Sequence, residues 1–83
     1  MNGHQRKILQ RILATPASGT IRFSDVESLL EALGAEVIQS KGSRVRFYLQ
    51  GEQWHTHRPH PGNEAKRYQV RDLQELFQRL GIG

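Results

Sequence analysis

Between Arg44 and Gln50 the chain alternates strictly. Val45, Phe47 and Leu49 fall on one side, and Arg44, Arg46, Tyr48 and Gln50 on the other. A period of two is the signature of a strand with one wet face and one buried face. The pattern then repeats in reverse. Gly51-Glu52 reads as a turn, and Gln53–Arg58 as a returning strand with Trp54 and Thr56 on the apolar side and His55 and His57 on the polar side. Pro59 and Pro61 stop that strand, because proline has no N–H to give a ladder. A hairpin of this kind cannot stand alone in water, so other segments must cover its apolar face.

Those segments are helices. In residues 4–13, Ile8, Leu9, Ile12 and Leu13 share one face; Asn2 suits the N-cap, and Pro16 follows the end. Thr15–Thr20 is a short connector. A second helix is expected over Phe23–Leu33, with Ser24 and Glu27 spaced as a capping box, an apolar stripe of Val26, Leu29, Leu30 and Leu33, and Gly34 as terminator. Ala35–Ser40 reads as a first strand with Val37 inward, and Lys41–Ser43 as a turn. Gly62–Tyr68 reads as a polar loop. Gln69–Leu80 closes the chain as an amphipathic helix with Val70, Leu73, Leu76, Phe77 and Leu80 inward, followed by Gly81 and a packing contact from Ile82. The order helix, helix, three antiparallel strands, helix implies a single α+β domain over residues 1–83, with helices on one sheet face.

With 83 residues and 36% hydrophobic content, the core must be small. Cysteine is absent, so no disulfide framework or thiolate zinc site is possible. No apolar run has the length of a signal-peptide core or a membrane span, so the expectation is a soluble protein of the cytoplasm. The net charge of +4 is unevenly placed. Residues 41–71 carry seven Lys/Arg against Glu52 and Glu64, a net +5, which leaves −1 for the remainder. A basic hairpin and exit loop favour a polyanionic partner, most often nucleic acid.

Three of the four histidines lie in this stretch, at positions 55, 57 and 60. Histidine exchanges protons near neutral pH. RNA carries its own nucleophile, the 2′-OH, so cleavage needs a base, an acid and cations around the phosphate. His57 and His60, with Arg44, Arg46 and Arg58, supply that set without metal or cofactor. Tyr48 is placed to stack on a base. Lys41, Ser43, His55, Lys66 and Arg67 extend the candidate RNA-binding surface. Each residue also has a plainer reading: exposed histidines as tolerated polar groups, Arg44 and Arg46 paired across strands with Glu36 or Glu52, and Trp54 as core. His4 belongs to the first helix and receives no role. The spacing H-T-H-R-P-H also fits a metal pattern, H-x-H-x-x-H. Pro59 stands where that pattern usually has an aspartate, however, and no Asp or Cys is near in sequence, so no metal is expected.

Ser24-Asp25-Val26-Glu27 opening a helix that ends at Leu33-Gly34, Gly42-Ser43 before an alternating strand, a histidine-bearing third strand and a closing Leu80-Gly81-Ile82 together resemble the HicA toxins of HicAB toxin–antitoxin systems. The resemblance covers about residues 20–82 and leaves residues 1–19 as an N-terminal helical extension and linker. Gly42-Ser43-Arg44-Val45-Arg46-Phe47 and His57-Arg58-Pro59-His60-Pro61 resemble one branch of that family. The resemblance implies a fold like the double-stranded-RNA-binding domain, metal-independent mRNA cleavage that inhibits translation and growth, and neutralisation by a HicB-like antitoxin. It also exposes a departure. Many HicA proteins carry Gly-Ser-His with a catalytic histidine, and here that position is Arg44, which stays protonated and cannot be a base at neutral pH. The proton carrier is then expected on the third strand or its loop, at His57 or His60, with Arg44 binding phosphate. The alternatives are a non-catalytic module that binds RNA or the antitoxin, and a structural adaptor with no nucleic-acid role.

Overall fold

A computed structural model describes all residues, Met1–Gly83. In chain order the elements are α1 (Gly3–Leu13), α2 (Phe23–Ala32), β1 (Glu36–Gln39), β2 (Arg44–Leu49), β3 (Glu52–His57) and α3 (Arg67–Leu80). The strands form one antiparallel sheet in the order β1-β2-β3. The fold is α+β and like that of the double-stranded-RNA-binding domain, with α2-β1-β2-β3-α3 as its frame.

Alternation in β2 and β3 is realised as written. Val45, Phe47, Leu49, Trp54 and Thr56 are buried, while Arg44, His55 and His57 are exposed. Phe47 pairs with Trp54 across the strands, their rings stacked at 5.3 Å, and Phe23 of α2 leans on both. These three aromatics join the sheet to the helices. Val26, Leu29 and Leu30 of α2 and Val70, Leu73, Leu76 and Phe77 of α3 complete the same core.

α1 shares that core through Ile8 and Ile12 and packs against α2 and α3. Asn2 caps it reciprocally with Gln5: Asn2 Oδ1 accepts from the Gln5 N–H at 2.8 Å, and Gln5 Oε1 accepts from the Asn2 N–H at 2.9 Å. At its other end the Gln74 amide of α3 donates to the carbonyls of Ile12 and Ala14, which helical bonding leaves open.

Four local expectations are corrected. The β2–β3 turn is Gln50-Gly51 and not Gly51-Glu52, because Leu49 pairs with Glu52. Both turn residues have positive φ, 49° and 81°, the pattern of the two-residue turn whose twist matches a hairpin. Ser24 and Glu27 do not form a capping box. α2 starts at Phe23, as expected, but its N-cap is Arg22 without a side-chain bond, and the Phe23 N–H is satisfied by the Asn63 carbonyl at 2.8 Å. Phe23 is buried as the first helical residue, which leaves Ser24 inside the helix, and Glu27 turns to Arg58 instead. α3 begins at Arg67, two residues before the expected start. Finally, residues 62–68 are not uniformly polar loop: Ala65 is buried, and its N–H donates to the Ile21 carbonyl at 2.7 Å. The C-terminal stop is as expected. Gly81 is left-handed at φ 69°, and the Ile82 N–H returns to the Phe77 carbonyl.

Candidate functional site

The register of the sheet lays the outward side chains in rows. Ile38, Arg46 and His55 form one row across the three strands, and Arg44 pairs with His57 in the next. Arg44, Arg46, His55 and His57, with Ser40, line one depression on this open face. Past the strand end a second depression is lined by Ser43, His57, Arg58, Pro59, His60, Lys66 and Tyr68. His57 belongs to both, at their seam.

The two arginines of β2 are available. Neither forms an ion pair; the chain's ion pairs are His4–Asp25, Arg58–Glu27 and Arg79–Glu52, so Glu52 is engaged elsewhere. Arg46 lies over the Tyr48 ring, its guanidinium carbon 5.9 Å from the centroid, and its Nε is buried without a partner. Tyr48 itself is half-buried beneath it. His55 Nε2 sits 3.0 Å from Gln53 Oε1, which orients the ring along its own strand.

Other expected members are placed differently. Arg58 donates from Nε to Glu27 Oε1 at 2.7 Å, so its charge is already matched by α2, while its N–H donates to the Ser43 carbonyl and closes the hairpin mouth. Arg67 extends over Gly19, close enough that a Cβ there would meet its Nε at 3.3 Å, and it does not line the histidine depressions. Lys41 is exposed in the β1–β2 turn. No three His, Asp or Glu side chains converge as metal ligands would.

Behind His57 lies a residue that pattern reading passed over. Gln69 is 1% exposed. Its Nε2 donates to Thr56 Oγ1 at 2.8 Å and to the His57 carbonyl at 2.7 Å, and its Oε1 accepts the Lys66 N–H at 2.8 Å. One buried amide thus ties the end of β3 to the start of α3 and sets His57 beside Lys66. The signal was present in sequence as a polar residue on the inward stripe of a helix, four positions before Leu73. Tyr68, expected at the end of a polar loop, is 52% exposed in the first turn of α3.

The largest cleft, about 640 Å³, is elsewhere, along α2. It contains Glu27 and Glu31, none of the histidines, and a single cation, Arg58, that is already paired. It is a poor place for a polyanion.

Residues 23–82 match the sequence model of a family described as the HicA toxin of bacterial toxin–antitoxin systems. The chain belongs to the HicA toxin family. It is therefore the toxin side of a toxin–antitoxin pair, and membership implies a cognate antitoxin. The match begins at the first residue of α2, so α1 and its linker lie outside it. No curated protein and no solved structure matches the chain. No helix is long and apolar enough to cross a membrane.

Proposed function

We propose that this HicA family member is a metal-independent endoribonuclease that cleaves mRNA in the cytoplasm and is neutralised by a HicB-like antitoxin. The observation that supports it most is the position of His57, opposite Arg44 on the open sheet face and at the seam of two basic depressions.

One histidine of the His57/His60 pair takes the proton of a 2′-OH as O2′ attacks the adjacent phosphorus. The other donates a proton to the departing O5′, so the P–O5′ bond breaks as the P–O2′ bond forms. The products are a 2′,3′-cyclic phosphate and a 5′-hydroxyl. Arg44, Arg46 and Lys66 are the cations that offset charge on the pentacoordinate phosphorus. Arg44 takes a binding role at the position where the family resemblance implies a histidine, and the proton work passes to the next strand.

That same substitution favours a second reading, a module that binds RNA or the antitoxin without cutting. End-labelled RNA incubated with purified protein in EDTA separates the two. Cyclic-phosphate ends support the nuclease, salt-sensitive binding without products supports the module, and cleavage abolished by EDTA defeats the metal-independent mechanism.

A further inference from the structure

Aromatic side chains in this protein fall into two classes. Phe23, Phe47, Trp54 and Phe77 are buried, and Tyr48 is half-covered by Arg46. Tyr68 alone is largely open, at 52% exposure, and its hydroxyl makes no hydrogen bond within the protein. Its place is not arbitrary. It lines the depression that holds His57, His60 and Lys66, and it directly precedes Gln69, whose buried bonds fix the chain there. The ring is thus presented from an anchored helical turn beside a candidate reacting centre, and no neighbour gains from it.

We infer that Tyr68 is a stacking platform for an unpaired nucleobase adjacent to the phosphate handled by His57, making the substrate single-stranded RNA and not a duplex. This rests on the ribonuclease reading and deepens it. The physical ground is that a base offers its flat face to an aromatic ring only when it is unstacked from its neighbours. A duplex presents phosphates and 2′-hydroxyls along its shallow groove, and the flat face of a tyrosine has no use there. A fold like that of a double-stranded-RNA-binding domain has, in this chain, an aromatic where only a single strand can use it.

The test uses fluorescence anisotropy with a labelled, unstructured 2′-O-methyl RNA, which binds but has no free 2′-OH to attack. Tyr68→Ala is expected to weaken binding roughly 5- to 150-fold, the range for losing one base–aromatic stack. Tyr68→Phe should bind as the parent does, because the ring is retained. The parent should prefer the single strand to its duplex. Replacing bases one at a time by abasic sites should reveal one costly position in the parent, and that cost should vanish in Tyr68→Ala. Equal binding by Tyr68→Ala, a loss in Tyr68→Phe as large as in Tyr68→Ala, or equal affinity for the duplex would overturn the inference. So would a Tyr68→Ala variant impaired only in antitoxin binding. If the parent protein cleaves RNA while any of these holds, the subsite alone is wrong. If the parent neither binds nor cleaves RNA, the ribonuclease reading falls with it.

Discussion

Gln69 ties the end of β3 to the start of α3 with one amide. Its donors and acceptor are spent on Thr56, His57 and Lys66, and it is almost wholly buried. Replacing it by leucine keeps the volume but strands those partners, and an unmet buried hydrogen-bonding group is costly. Gln69→Leu is expected to lower unfolding free energy by about 1–3 kcal/mol, measured by urea denaturation. It should also depress RNA cleavage more than RNA binding, since the cations stay in place while His57 loses its anchor. Which histidines face outward was readable from residue alternation alone, because β3 has a strict period. That Arg58 is matched by Glu27 was not, since the partner lies 31 positions away and only the folded chain brings it near.

The hairpin and the first helix carry the next tests. Gln50 sits at φ 49° in the β2–β3 turn, a conformation that costs a residue with a bulky side chain. Gln50→Asn should raise stability by up to about 1 kcal/mol, seen as a higher urea midpoint with unchanged slope. The same turn explains why sequence reading set the reversal one residue late: Gln-Gly lacks the Asn-Gly signature and borrows only its glycine. α1 lies outside the family-matched region, and its Ile12, 0% exposed, shares that region's core. Ile12→Ala is expected to cost about 2–5 kcal/mol, a large part of what a domain of this size holds. Spacing alone does not make a capping box. The Ser-x-x-Glu spacing is present, but Phe23 is buried as the first residue of the helix, so Ser24 lies inside it and cannot be its N-cap.

Taken whole, the molecule puts its helices on one side of the sheet and leaves the basic, histidine-bearing side open. The +5 stretch seen in sequence survives folding in reduced form, because Arg58 is paired and Arg67 turns toward Gly19. Arg71 lies along α3, and Lys41, Arg44, Arg46 and Lys66 remain at the hairpin and exit loop. Four phosphate contacts to a single strand give a log–log salt slope of about −3, and Arg44→Ala should reduce its magnitude by about 0.7. Fold class was readable because hydrophobic period and chain order determine it. The distribution of charge between working and paired residues was not, because that depends on contacts distant in sequence.

Cleavage of end-labelled RNA by the parent protein and by His57→Ala, both in EDTA, with binding followed in parallel, addresses the proposed chemistry most directly. The parent should yield 2′,3′-cyclic phosphate ends, and His57→Ala should bind RNA within a few-fold of the parent while cleaving it about 10²–10⁴-fold more slowly. A His57→Ala protein that cleaves at the parent rate, or a parent that binds RNA and leaves it intact, would contradict it.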